Sequence, residues 1–283
     1  MEEKPKILVF STRKNAVLDE AISRPGVIFI NPKDIGIYMT EEGGALVKDG
    51  EIMDISTIKY AYFPGTSPIA VHNLMFFLES IGVTCIPSPD AYLNACSKAK
   101  TYLLMMKDGG IPIIPTILGT GGAYNVLGSQ TLVSKPDKGS LGQNVKLIKS
   151  SDVHVSNGVD AMPSHKSLLQ KYVTPSNGQR CDLRLVVYDD KVLCAEKRFS
   201  DKDFRTNLSL GNHGEAYTPT EEERKLAIEV VKRVEGLHVG GVDLIYDGDT
   251  LRLLEINPFP GDKICNLTGT NFYKYIIDDL MEK

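Results

Sequence analysis

The sequence predicts an α/β chain with a parallel-sheet lobe first and mixed α+β lobes after it. Three observations lead there. Residues 6–10, 15–23 and 27–30 read as strand, helix and strand with short links, a βαβ unit whose strands lie parallel. Residues 131–148 and 181–198 each read as two apolar strands joined by a polar connection. Residues 241–261 read as a final hairpin, with strands over 242–246 and 251–256 and a turn at Asp247-Gly248-Asp249. A chain of 283 residues is long enough for two or three such lobes.

The remaining elements follow from local signals. Residues 45–53 form a hairpin turning at Asp49-Gly50, and 60–63 form a strand. The turn at 64–67 opens a helix to about Ile81, with Pro68 in its first turn. Residues 84–86 are a strand ended by Pro87 and Pro89. Residues 90–108 are helical in two pieces broken near Ser97, and Gly109-Gly110 with Pro112 close the helix. Residues 150–167 are polar and weakly periodic. Thr220 caps a helix with acids in its first turn, which runs to about Glu235 and ends at Gly236. A closing helix spans about 270–281.

Composition narrows the function classes. The net charge of −4 and the lack of a basic run argue against nucleic acid as a partner. No apolar run approaches membrane-spanning length and the N-terminus lacks a signal-peptide core, so a cytoplasmic protein is expected. The five cysteines are scattered, with no Cys-x-x-Cys, and fit reduced thiols better than disulfides or zinc. His213 reads as a loop residue rather than a base.

Three stretches carry chemistry. In the last hairpin, Glu255 and Asn257 are two residues apart and so share a strand face, and Asp243 sits early on the partner strand. Two carboxylates and an amide carbonyl suit a hard divalent cation, Mg2+ or Mn2+. The competing reading is a solvated hairpin, against which stand the apolar runs around Asp243 and Glu255. In the second stretch a strand ends at Lys135 and enters a loop with Gly139, Ser140 and Gly142, where close backbone approach lets N–H groups cradle phosphate. An ordinary glycine-bearing loop is the alternative, and the P-loop pattern is absent. The third stretch holds Arg205, Thr206 and Asn207, polar donors suited to charge on a transferring phosphoryl group. Asp182 and Arg184 share a face, as do Glu196 and Arg198, consistent with cross-strand ion pairs.

An Asp followed twelve residues later by Glu-Ile-Asn-Pro-Phe-Pro-Gly, downstream of Lys135 and its glycine loop, resembles the metal-binding end of the ATP-grasp ligases. Asp203, Phe204, Arg205, Thr206, Asn207 and Leu208 narrow the resemblance to the RimK-like α-L-glutamate ligases, with Thr206 where that family has Ser. The resemblance implies a three-lobed ATP-grasp fold. A preATP-grasp domain would cover residues 1–88, a central lobe 89–168 and a C-terminal lobe with the metal site 169–283. It implies ATP bound between the last two lobes, with two Mg2+ or Mn2+ ions. Lys135 and, by position, Lys98 would contact phosphate, Lys100 fitting that place less well. Gln170, Lys171, Tyr172 and Val173 would form the hinge strand reading the adenine edge, although Lys171 stands where the family usually has Glu. Asp182 would hold the ribose and Arg184 would face the phosphate or acceptor side, with Arg205 and Asn207 steadying the phosphoryl group. The implied activity is ATP-dependent carboxylate–amine ligation through an acyl phosphate, adding L-glutamate or another amino acid to a peptide or small carboxylate. Macrocycle, ester or amide formation on a precursor peptide stays open, as do a non-catalytic ATP-binding module and a homo-oligomer.

Overall fold

A computed structural model describes residues 6–65, 68–107, 109–118, 126–128, 131–139, 142–149, 167–201 and 204–283. Its first sheet is parallel, in the order β2-β1-β6-β7, from β1 (Ile7–Ser11), β2 (Val27–Ile30), β6 (Tyr60–Gly65) and β7 (Thr84–Ile86). Every residue of β1 is buried, as expected of a parallel strand covered on both faces. The helix Ala16–Ile22 between β1 and β2 is capped by Asn15, whose Oδ1 accepts the Leu18 N–H at 2.8 Å. The hairpin expected over 45–53 is present as β4 (Gly43–Lys48) and β5 (Glu51–Ile52). A third strand, β3 (Ile35–Thr40), joins it with Ile35 opposite Lys48. That strand was legible in the alternation Ile35, Ile37, Met39.

The second sheet is antiparallel, in the order β10-β9-β11-β8, from β8 (Thr116–Leu118), β9 (Thr131–Pro136), β10 (Lys146–Lys149) and β11 (Ser167–Lys171). Ser140 and most of 150–167 lie outside the described residues. The third sheet has five antiparallel strands in the order β14-β13-β12-β15-β16. They are β12 (Cys181–Tyr188), β13 (Lys191–Phe199), β14 (His213–Ala216), β15 (Val239–Asp247) and β16 (Thr250–Asn257).

Two bulges decide which residues of this sheet face each other. The turn after β15 pairs Asp247 with Thr250, and that register would put Asp243 opposite Leu254. An extra residue, Leu254, shifts the register between Leu244 and Asp243, so Asp243 instead pairs with Glu255. The β12–β13 hairpin repeats the device. Val187 pairs with Val192, the register shifts past Leu193, and Arg184 then pairs with Glu196 and Asp182 with Arg198. Without the shifts, a period of two would turn Glu255, Glu196 and Arg198 toward the opposite face.

The sheet's faces divide accordingly. Leu183, Leu185, Val187, Val242, Leu244, Leu253 and Ile256 bury against Ala227, Val230 and Val231 of the helix Glu221–Lys232. That helix opens with a capping box between Thr220 and Glu223. Ala91, Ala95, Tyr102 and Met105 join the same core. The helices Pro89–Ala95 and Lys98–Met106, expected with the central lobe, therefore pack on the C-terminal sheet. On the other face, Val186, Tyr188, Cys194 and Val239 meet Ile7, Val9 and Tyr62 of the first sheet and Ile276 and Ile277 of the helix Phe272–Glu282. Asp182, Arg184, Glu196, Arg198 and Asp243 belong to this second face by alternation, beyond the reach of the apolar packing.

The lobes are tied where Gly236 accepts the Ser88 N–H at 2.9 Å. Gly236 has φ +79°, and a Cβ there would lie 2.4 Å from the Ser88 Oγ. Gly236→Ala is expected to cost about 2 kcal/mol of unfolding free energy through the left-handed backbone and the clash. Urea denaturation measures it, and a loss below about 0.5 kcal/mol would show that the contact yields freely.

Candidate active site

The polar end of the five-stranded sheet is an interlocked set of charges. Asp182 accepts from Arg198 Nε at 2.7 Å and Nη2 at 2.6 Å, and from Thr206 Oγ1 at 2.7 Å. Asp243 accepts from Arg184 Nε and Nη2, both at 2.7 Å, and lies 2.9 Å from Arg198 Nη2. Asp182, Arg198 and Asp243 are each 98–99% buried. Charges so deep persist only when paired, and paired charges add little net stability compared with packed apolar residues. Their presence therefore points to function. Burial pushes the Asp182 carboxyl up, and Arg198 opposes it only in part. Burial also acts to raise Asp243, but two guanidiniums outweigh it and hold that carboxyl below the usual range.

A cleft of about 990 Å³, solvent at its mouth included, opens over these residues. Lys98, Lys135, Gly139, Gly142, Gln170, Lys171, Tyr172, Val173, Asp182, Arg205, Thr206, Asn207, Asp243 and Glu255 all line it. Arg184 and Asn257 stand just behind the lining. Arg184 holds Asp243, and the Asn257 Nδ2 donates to Glu255 Oε1 at 3.3 Å. Lys98 Nζ donates to the Gly139 carbonyl at 3.0 Å and lies 3.7 Å from Glu255 Oε2, joining the glycine loop to the hairpin. Lys100 does not line the cleft. From the other side Arg205 Nη1 donates to the Gly142 carbonyl at 2.9 Å. Gly142 has φ +69°, and a Cβ there would sit 2.9 Å from Asn207 Oδ1, so glycine is needed for this approach. Asn212 Nδ2 holds the 205–207 turn through the carbonyls of Arg205 and Asn207.

A RimK-like ATP-grasp domain matches residues 123–280, which include the glycine loop, hinge, arginine turn and final hairpin. The chain belongs to the RimK-like ATP-grasp family. It is thereby an ATP-dependent ligase that forms carbon–nitrogen bonds. It is 33% identical over 213 residues to a probable α-L-glutamate ligase of Haemophilus influenzae, covering 73% of this chain and 69% of that one. To a probable α-L-glutamate ligase of Shewanella baltica it is 36% identical over 214 residues, or 71% and 68% of the two chains. Among solved structures, a RiPP-associated ATP-grasp ligase of Chryseobacterium gregarium, in complex with ADP and a leader and core peptide, superposes with a TM-score of 0.76 at 16% identity. The match covers 98% of this chain and 97% of that one. The macrocyclase MdnC of Microcystis aeruginosa, bound with its precursor peptide MdnA, gives 0.72 at 12% identity over 98% and 100% of the two chains. At those identities the likeness concerns the ATP-grasp fold. No helix among the described residues is long and apolar enough to cross a membrane.

Three supports of this ATP-grasp cleft join residues distant in the chain, and for Asp137 and Tyr102 the sequence holds no local signal. Asp137, just past Lys135, accepts the Ser97 hydroxyl at 2.8 Å and the Ala99 N–H at 2.8 Å, and its carbonyl accepts the Lys98 N–H at 3.1 Å. It caps the helix Lys98–Met106 from forty residues away in the chain and so positions Lys98. Tyr102 donates to the Leu254 carbonyl at 2.7 Å, at the bulge beside Glu255, and accepts from the buried Gln170 Nε2. Gln170 thus braces the fold beneath the hinge. Arg198, expected to form a cross-strand ion pair, spans Asp182 and Asp243, partners that only the register assigns. The donor set fits a divalent ion: Asp243 and Glu255 are directly opposed, and Asn257 lies against Glu255.

Lys135 is 96% buried, and burial pushes its ammonium down to about 8, with Glu255 pulling the other way. ATP favours the charged form, so affinity should be full below pH 8 and weaken above it, while Lys135→Arg should flatten that profile. Titration calorimetry between pH 6.5 and 9.5 measures this, and a flat wild-type profile would contradict it. Asp137→Ala should raise the Kd for ATP about tenfold and cost about 1 kcal/mol of stability through the lost cap. Fluorescence titration and denaturation would separate the two effects.

Proposed function

We propose that the protein is an ATP- and Mg2+-dependent carboxylate–amine ligase working through an acyl phosphate, with L-glutamate or another amino acid as the amine. The observation that carries this is the opposition of Asp243 and Glu255 on one cleft wall, with Lys98 and the buried Lys135 across from them. Asp243, Glu255 and Asn257 would hold Mg2+, which supplies neutralising charge to phosphate oxygens. Lys98, Lys135 and the glycine loop bind the phosphates, and Arg205 and Asn207 close over them. The hinge residues Lys171, Tyr172 and Val173 face the base, and Asp182 supports the sugar side through Thr206 and Arg198. A substrate carboxylate oxygen attacks the γ-phosphorus, and the bond to the bridging oxygen breaks as ADP takes the electron pair. The amine, its ammonium proton already lost to water, attacks the acyl carbon with its lone pair, phosphate departs with the electrons of the broken C–O bond, and the nitrogen's second proton passes to that phosphate. The chain supplies no nucleophile of its own; it orients, neutralises and excludes water.

The relatives named probable α-L-glutamate ligases favour glutamate as the amine. The peptide-bound structural neighbours keep a precursor peptide, joined to itself in a macrocycle, as the second reading. The five free thiols support a reducing, cytoplasmic setting.

An ADP-release screen across amino acids, peptides and small carboxylates, with mass spectrometry of the product, tests the reading. Glu255→Ala should lower turnover about a thousandfold or more while the fold persists by circular dichroism. Ligation undiminished in that variant would defeat the assignment.

A further inference from the structure

One buried carboxylate of the sheet has no part in the chemistry above. Glu196 is 98% buried, on the same face as Arg184, Arg198 and Asp243 and directly opposite Arg184 in the β12–β13 pair. Its Oε2 has no hydrogen-bond partner among the described residues, alone among the buried side chains of this sheet. The two guanidiniums beside it are committed elsewhere: Arg198 to Asp182 and Asp243, Arg184 through Nε and Nη2 to Asp243. Three carboxylates thus share two guanidiniums, and the third is left short of a cation. Leaving a buried carboxylate oxygen without a donor costs several kcal/mol, and such a cost persists at sites where a ligand later supplies the donor.

We infer that Glu196 is the recognition carboxylate for the substrate amine, receiving its ammonium group beside Arg184. This rests on the ligase reading above. An amino acid reaches the enzyme as an ammonium ion, so the second half-reaction needs a fixed negative charge where its nitrogen docks. The nucleotide wall offers none to spare, since Arg198 and Thr206 occupy Asp182, and Asp243 and Glu255 are the residues that would hold the metal. Adjacent strands lie about 4.8 Å apart, which places Glu196 two steps, about 10 Å, from Asp243 along the sheet. That spans an amino acid whose nitrogen must approach a phosphorylated carboxylate near Arg184. Arg184, with 16% of its side chain exposed, is the solvent-facing member of the pair.

The test uses the full chain and compares wild type with Glu196→Gln and Glu196→Asp. Measured are KM for the amine, KM for ATP, and the partition between amide and hydroxamate when hydroxylamine competes with the amine. Hydroxylamine is uncharged near neutral pH and captures the acyl phosphate without an ammonium. In Glu196→Gln, the amine KM should rise about tenfold or more, against a change of about twofold for ATP, and the hydroxamate-to-amide ratio should rise about tenfold. Glu196→Asp, which keeps the charge one methylene back, should fall between that variant and wild type. An amine KM that moves no more than the ATP KM overturns the inference, as does an equal fall of hydroxamate and amide. Should Glu196→Gln not fold, Glu196→Asp is judged by the same KM comparison. A wild-type protein that yields neither ADP nor hydroxamate with any carboxylate defeats the ligase reading, and this inference with it.

Discussion

Two arginines hold two buried aspartates at the centre of the five-stranded sheet, and the working geometry depends on that pairing. Arg198 holds Asp182 and reaches Asp243, and Arg184 closes on Asp243 from the next strand. Because the cluster is buried, losing any one member leaves a charge uncompensated, which a fold tolerates poorly. The pairing therefore fixes three strands laterally, and with them the wall of the cleft. It also ties that wall to the arginine turn, since Asp182 accepts the Thr206 hydroxyl. A movement of the 204–207 segment must be felt at the carboxylates.

The same sheet serves two masters. Toward one end of its second face, Val186, Tyr188 and Cys194 anchor the first lobe; toward the other, the side chains turn polar and form the floor of the cleft. The first lobe thus abuts the reaction face from the side that carries Glu196. Its own contribution to that border is Asn15, whose Nδ2 donates to Asp262 at 2.7 Å, next to the loop that follows Asn257.

The phosphate side is built by long-range support of short segments. Lys98 comes from a helix that packs on the C-terminal sheet, yet its N-terminus is capped by Asp137 of the central lobe. Tyr102 on the same helix meets both Gln170 of the hinge and the bulged Leu254. One helix therefore sets the distance between the hinge, the lysines and the carboxylates. Lys135, whose ammonium burial pushes down to about 8, is a group whose charged form a bound triphosphate would favour.

Much of this was written in the chain. Alternation and turn residues gave the βαβ opening, each hairpin and the break at Ser97, because those signals are local. The ordered run of Lys135, the glycine loop, Arg205 to Asn207, and Asp243 to Asn257 identified the chemistry, because residue types that bind phosphate and metal have few structural substitutes. The register was not so plain. Counting back from the turn places Leu254 opposite Asp243, and only the packing of Leu251, Leu253 and Ile256 into one core forces the extra residue that brings Glu255 there. That spacing of three within a period of two was the one sequence trace of the bulge. Asp137 and Tyr102 left none, since their partners lie 40 to 152 residues away. Local patterning thus determined the elements, and the family resemblance carried by the ordered motifs implied the reaction class. Tertiary burial decided which charges meet, because a charge excluded from water must find its partner across strands rather than along them.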